Sequence, residues 1–184
     1  MTMKGVFLSF LLSVSSILCF SQRDSAIKYS EVVVVEGATK EQLYQKARAW
    51  FNDAFKSSKD VIQIQDKETG ELAGKGIMTS TVIFKYLGER KYNASYNFSM
   101  KIFVKDGKYK YELTDFDNYE VAENKVTALG IITSAAECPV KWSMVSQKKM
   151  NEVWTSAKEN LQLKIEPFLA SLKKTMSASV SNNW

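Results

Sequence analysis

The sequence predicts a two-layer α+β domain, in which two helices cover one face of a five-stranded antiparallel sheet. Two observations carry most of this prediction. Residues 92–116 form two runs of alternating apolar and polar side chains that meet at Asp106-Gly107, and residues 147–176 carry one apolar stripe at helical spacing. Strands and helices of this kind can bury their apolar sides only against each other, so the expected element order is β-α-β-β-β-β-α.

The Asp106-Gly107 turn sets the register of the two central strands. An Asp-Gly pair favours a type I′ turn, because both residues tolerate positive φ. The turn then creates three apolar pairs on one face of the hairpin, which are Val104 with Tyr109, Ile102 with Tyr111 and Met100 with Leu113. Lys101 faces Glu112 on the polar face. Asp115 is expected opposite Phe98, where pairing should end.

The elements before the hairpin are a strand, a helix and two more strands. Four consecutive valines in residues 31–36 are typical of a buried strand. Thr39 and Gln42 form a capping box that begins a helix over residues 40–55, with Trp50 and Phe51 expected in the core. Strands are predicted over residues 62–65 and 72–85.

Gly74 and Gly76 lie within the second of these strands. A dinucleotide-binding loop would need a third glycine where Thr79 stands, and a helix in place of the strand formers that follow. The two glycines therefore indicate a bulge, or a place where a helix or ligand approaches the backbone closely.

Residues 122–146 form a long connection, which is typical of a lid or binding segment, although Ile131 and Ile132 could form part of a further edge strand. Cys138 within it is expected to be buried and unreactive. The helix that follows is predicted over residues 147–176, and its apolar stripe consists of Met150, Trp154, Ala157, Leu161, Ile165, Phe168, Leu172 and Met176. Such a stripe is more often core than a membrane or partner surface.

Residues 1–21 are predicted to be a cleaved export signal. Lys4 precedes a largely apolar run over residues 5–20, and small residues at positions 19 and 21 favour cleavage before Gln22. The run is too short for a membrane-spanning helix, and Leu18 disfavours lipid attachment at Cys19. The expected product is a periplasmic, cell-surface or secreted chain with no transmembrane segment. It would contain one domain over residues 22–176 and a flexible tail over 177–184.

The composition excludes several kinds of catalysis. The sequence has no histidine, which removes Ser-His-Asp and Cys-His catalysis and histidine-bound zinc. We predict neither a metal nor a cofactor. The formal net charge is +5 without a block of like charges, which favours an ordinary solvated surface over a nucleic-acid-binding patch.

Four segments of the chain resemble a known family. These segments are Tyr29-Ser-Glu-Val-Val, residues 44–51, residues 62–66 with Gly74-Lys-Gly76, and residues 105–116. Together they resemble a family of exported Bacteroidetes-type proteins of unknown function with a TATA-binding-protein-like (TBP-like) fold. The resemblance covers residues 29–119. It implies that fold and a periplasmic or surface setting, but no activity and no catalytic residues. The export signal argues against nucleic-acid binding.

The first functional hypothesis is a non-enzymatic binding domain of the cell envelope, whose partner is a protein, a peptide or a glycan. Its candidate surface is the polar sheet face with Lys101, Phe103 and Lys110. Phe103 is either exposed there or covered by the connection after Ala122.

Two other hypotheses stay open. The domain could carry a small apolar ligand between the sheet and the C-terminal helix, in a cavity lined by aromatic residues with polar tips, of which Tyr96, Tyr111 and Trp154 are the main candidates, with Tyr92 and Tyr109 beside them. It could also be a hydrolase that uses Asp115, Asp117 or Glu120 as an acid pair. The sequence leaves the oligomeric state open.

Overall fold

The computed structural model describes residues 25–55, 62–85, 88–121, 128–143 and 145–178. The export-signal prediction falls outside these residues, and so does the predicted tail beyond Ala178. In chain order the elements are β1 (Tyr29–Val34), α1 (Lys40–Ala54), β2 (Ile62–Asp66), β3 (Glu71–Lys85), β4 (Glu89–Lys105), β5 (Lys108–Val121), β6 (Gly130–Ile131) and α2 (Gln147–Ser177).

The strands form one antiparallel sheet in the order β1-β5-β4-β3-β2, and β6 pairs with β5 as a sixth strand. The predicted α+β class, with two helices and an antiparallel sheet, is confirmed. β6 lies in the long connection, where an edge strand was one of the two expectations. Its Ile131 is exposed, whereas the following Ile132 is completely buried.

The register of the β4–β5 hairpin is confirmed at all four predicted pairs. The prediction that pairing ends near Asp115 is wrong. The register shifts between Asn97 and Ser99, Asp115 adopts a φ of 60°, and β5 then continues to Val121. A bulge of this kind absorbs one extra residue without ending the ladder.

The prediction that the four valines form a strand is correct, but the prediction that this strand is buried is wrong. The valine run does form a strand, but β1 lies at the edge of the sheet, and the side chains of Val32 and Val34 are 57% and 66% exposed. Both helices pack on the other face of the sheet. A β-branched run indicates extended backbone, and it does not say which faces other elements will cover.

The two helices follow the predicted patterns. The Thr39 N–H donates to Gln42 Oε1 at 3.0 Å and the Gln42 N–H donates to Thr39 Oγ1 at 3.3 Å, which confirms the capping box. Trp50 and Phe51 are buried as expected. The buried stripe of α2 consists of Met150, Val153, Trp154, Ala157, Leu161, Ile165, Leu169, Leu172 and Met176. Phe168 is only half-buried, because the stripe passes through its neighbour Leu169.

Two smaller predictions are also confirmed. A Cβ atom on Gly76 would lie 2.5 Å from the ring of Phe55 and 2.7 Å from the ring of Phe98, so the end of α1 approaches the strand at this glycine. Cys138 is buried, and burial raises the pKa of its thiol. Among the residues that the structure describes, none of the helices has the length and apolar character needed to cross a membrane.

Candidate functional site

The candidate site lies on the sheet face opposite α1 and α2, which we call the open face. In the described part of the chain, no helix packs on it. Alternation along β1, β4 and β5 directs every second side chain to this face. Phe103 faces Lys110 across the β4–β5 ladder, and Lys101 faces Glu112 beside them. The structure therefore places Phe103, Lys101 and Lys110 on the same face of the sheet, and their role in binding stays a prediction.

Phe103 is one of seven residues that line a surface depression of about 400 Å³, and we call it the Phe103 depression. Its lining consists of Val32, Phe103, Lys105, Lys108, Tyr109, Lys110 and Glu112. Phe103 is half-buried and Val32 is mostly exposed, so the depression has an apolar floor that water can reach. Residues 122–127 lie outside the described residues, so the alternative that they cover Phe103 stays a prediction.

The Phe103 depression has an excess of positive charge. Glu112 accepts from Lys110 at 2.5 Å and from Lys28 at 3.2 Å, and these two hydrogen bonds lower the pKa of its carboxyl. Among the described residues, no carboxylate lies within ion-pair distance of Lys105 or Lys108. Both lysines lie at the turn end of the hairpin, on either side of Asp106-Gly107.

Of the seven lining residues, sequence reasoning assigned only Phe103 and Lys110 to this site. It placed Glu112 on the polar face without a role and Tyr109 in the ligand cavity, and it missed Val32, Lys105 and Lys108. Lys105 and Lys108 pair directly across the turn, so the register predicted from Asp106-Gly107 already placed both on the open face, and their juxtaposition could have been inferred. Val32 could not have been inferred in the same way. It lies opposite Lys110 because β1 pairs with β5, a contact between segments far apart in the sequence.

Three further candidate residues lie on the helix-covered face. Tyr96, Tyr111 and Trp154 are buried in the main core. Tyr96 and Ile102, the partner of Tyr111, are six residues apart on β4, which separates the two tyrosines by roughly 20 Å along the sheet. The structure does not bring these three side chains into one small pocket, and carriage of an apolar ligand stays a prediction.

Tyr111 takes part in a polar contact between the sheet and α2. Its hydroxyl donates to Glu31 Oε2 at 2.9 Å, and Lys173 Nζ lies 2.6 Å from the same oxygen. Both hydrogen bonds lower the pKa of the Glu31 carboxyl, and the bond from Lys173 has the larger effect. The neighbouring Tyr109 differs, because its buried hydroxyl has no hydrogen-bond partner among the described residues. Burial, and then the charge of Glu31, raise the pKa of Tyr109 to about 12.

Replacing each of these two tyrosines with phenylalanine should change stability in opposite directions. Tyr109→Phe removes an unpaired buried hydroxyl and should raise the free energy of unfolding by about 0.5 kcal/mol, whereas Tyr111→Phe removes a made hydrogen bond and should lower it by about 1 kcal/mol. Urea unfolding at neutral pH measures both. The Tyr111→Phe loss should shrink as the pH falls through the lowered pKa of Glu31, because the carboxylate is then protonated in both proteins. Equal changes in both variants would contradict this account.

Two of the three acidic candidates, Asp115 and Asp117, lie on the open face, away from the Phe103 depression. Asp115 and Asp117 line a second depression of about 470 Å³, together with Lys75, Asn97, Phe98, Ser99 and Ile131. The Thr114 hydroxyl donates to Asp115 Oδ2 at 3.0 Å. The described residues contain no group of three or more acidic or cysteine side chains that could hold a metal. The Glu120 side chain lies outside what the structure describes, and the hydrolase hypothesis stays a prediction.

Most of the sheet lies in a segment that matches a known protein family. Residues 29–119 match the model of a family described as a domain of unknown function (DUF4468) with a TBP-like fold. These residues belong to the DUF4468 family. The match begins and ends where the resemblance in the sequence does, and it confirms the predicted TBP-like fold. The family description assigns no activity to the DUF4468 domain.

A solved structure extends the likeness in fold beyond the matched segment. A crystal structure of a DUF4468 family protein from Bacteroides ovatus ATCC 8483 has a TM-score of 0.56 and 16% identity, and the alignment covers 86% of this chain and 90% of that one. A TBP-like protein from Parabacteroides distasonis ATCC 8503 is similar with a TM-score of 0.49 and 16% identity, over 80% of this chain and 93% of that one. At such identities the first likeness shows the fold alone. No curated protein matches the chain.

Proposed function

We propose that this DUF4468 domain is a non-enzymatic binding domain of the cell envelope, and that its open face binds an acidic, partly apolar segment of a partner protein. The observation that carries the proposal is the Phe103 depression, in which an apolar floor lies beside two lysines that have no carboxylate partner among the described residues. The envelope setting is supported by the predicted export signal.

The chemistry of the depression defines the kind of ligand. An apolar side chain that covers Phe103 and Val32 would remove apolar surface from water, which is favourable. Carboxylates on either side of that side chain would pair with Lys105 and Lys108 and steer the approach of the ligand. A segment that alternates acidic and apolar residues supplies both kinds of group. An acidic ligand residue beside Glu112 would be disfavoured, because Glu112 is negatively charged and already forms ion pairs with Lys110 and Lys28.

A labelled peptide tests the proposal directly. We expect the peptide Glu-Phe-Glu-Leu-Asp to bind the purified chain in fluorescence anisotropy, and the double variant Lys105→Glu/Lys108→Glu to raise its Kd about 30-fold, which corresponds to about 2 kcal/mol. The charge-matched control is Lys75→Glu/Lys91→Glu, because both of these lysines are exposed and neither lines the Phe103 depression. The control should change the Kd less than about threefold.

Three results would contradict the proposal. The first is equal binding of a Lys-Phe-Lys-Leu-Lys peptide, which would remove the role of charge complementarity. The second is an equal loss in both double variants, because a general charge effect would then explain the binding. The third is binding to phosphatidylglycerol vesicles without binding to the acidic peptide, which would make the open face a membrane-binding surface.

A further inference from the structure

The outer edge of β1 has no partner strand in the described part of the chain. This edge shares Val32 with the Phe103 depression, but its backbone groups are not part of the ligand contacts proposed above. We propose that β1 pairs antiparallel with β1 of a second copy of this chain, about a two-fold axis at Val32, so that two sheets become one continuous sheet. Backbone direction, the side chains of β1 and the charges at its ends support this pairing.

Within the described residues, the backbone groups on the outer edge of β1 have no strand to pair with. Among the described residues, β1 pairs with β5 alone. The Val35 N–H donates to Gly107 O at 2.8 Å on the β5 side. Because strand backbone groups alternate in direction, those of Ser30, Val32 and Val34 point away from β5. An edge strand with unpaired N–H and C=O groups is a template for another strand.

The side chains of β1 are compatible with pairing to another strand. The three residues whose backbone groups face outward are uncharged, and two of them are exposed valines. Proteins usually protect an edge with lysine, proline, a bulge or a very short strand. At the opposite side of this sheet, the Ile83 N–H of β3 is occupied, because it donates to Ser156 Oγ at 2.9 Å. β1 is itself short, with six residues, but it contains no lysine, proline or bulge.

Charge at the two ends of β1 selects the register. A two-fold axis at Val32 places Val32 opposite the partner's Val32 and Ser30 opposite the partner's Val34, so all three residues can exchange backbone hydrogen bonds. The same register places the exposed Glu36 opposite the partner's Lys28. The Lys28 ammonium also lies 3.2 Å from Glu112 of its own chain, so the two carboxylates would share it. An axis at Val33 would place Lys28 opposite the partner's Ala38 and would lose both ion pairs. Opposite charges across strands are favourable and like charges are unfavourable.

The dimer should be visible in solution at moderate concentration. Pairing of one short strand buries less surface than a typical stable interface, so we expect a Kd of about 10–100 µM. Sedimentation velocity of residues 22–184, the predicted export product, from about 5 to about 500 µM covers this range. A wild-type chain that stays monomeric throughout overturns the proposal.

Substitution at the axis tests the interface itself. Val32→Lys places two positive charges directly opposite each other across the axis and should raise the Kd at least about 100-fold. Val32 is exposed, so the fold of the single chain should survive, which circular dichroism checks. The matched control is Ile77→Lys, because Ile77 is 63% exposed on the open face of β3, far from the β1 edge. Dimerisation unchanged by Val32→Lys, or lost equally in the control, overturns the proposal.

Charge reversal tests the register. Glu36→Lys places a lysine opposite the partner's Lys28 and should raise the Kd about tenfold. The double variant Lys28→Glu/Glu36→Lys restores opposite charges across the interface and should recover most of the affinity. Both variants are made in a Glu112→Gln background, because Lys28 also pairs with Glu112 within its own chain. A double variant that is as weak as Glu36→Lys contradicts the axis at Val32.

Discussion

Replacing Trp154 with alanine is expected to lower the free energy of unfolding by about 4 kcal/mol, the largest stability effect that we predict for one side chain. Trp154 is completely buried at the first third of α2. Its indole N–H donates to Ala135 O at 2.8 Å, so the same ring joins α2 to the connection that follows β6. Removing it leaves a large cavity in the core and releases that connection.

A conservative variant separates the two contributions of the indole. Trp154→Phe keeps most of the apolar volume but loses the N–H donor, and it should cost about 1–2 kcal/mol. The Ala135 carbonyl also accepts from Lys158 Nζ at 2.7 Å, so it keeps one partner in both variants. Urea unfolding followed by far-ultraviolet circular dichroism measures all three proteins.

The same experiment bears on the carriage of an apolar ligand. A tryptophan that lines an open cavity has few packing partners, so its removal would cost much less than removal from a packed core. A loss below about 1 kcal/mol for Trp154→Ala would contradict our description of a packed interior and would favour the carrier hypothesis. A loss near the expected value would count against a ligand cavity at this position.

The features that the sequence predicted correctly are those determined by neighbouring residues. The Asp106-Gly107 turn sets the pairing of Val104 with Tyr109, and two-residue periodicity extends that pairing along both strands. The Thr39 capping box is equally local, since its two residues are three positions apart. The family resemblance supplied the fold name, and the local patterns supplied the order of elements.

The features that the sequence could not predict depend on contacts between distant segments. Val32 and Val34 are exposed because β1 lies at the sheet edge and because both helices pack on the other face of the sheet. The bulge at Asp115 requires an αL conformation that a non-glycine residue rarely adopts, and nothing in the neighbouring residues signals it. The Phe103 depression combines both cases, because its lysines follow from the hairpin and Val32 follows from tertiary pairing.

The turn between β2 and β3 gives the second large prediction, because Gly70 is required there for two separate reasons. Its φ is 79°, and a Cβ atom would lie 2.6 Å from the backbone oxygen of Val104. The close approach is part of the fold, since the Val104 N–H donates to Gly70 O at 2.9 Å. Moving the turn away to make room would break that hydrogen bond between the turn and the end of β4.

We therefore expect Gly70→Ala to lower the free energy of unfolding by about 3 kcal/mol, from positive-φ strain together with a backbone clash. Gly107→Ala is the matched control. Gly107 has a similar φ of 71°, but nothing lies within 4 Å of its added Cβ, so only the strain of about 1 kcal/mol should remain. Urea unfolding of the two variants under the same conditions isolates the clash as their difference. An equal loss of unfolding free energy in the two variants would mean that the turn shifts to accommodate the added methyl group at no energetic cost. The predicted clash with the Val104 backbone would then be wrong.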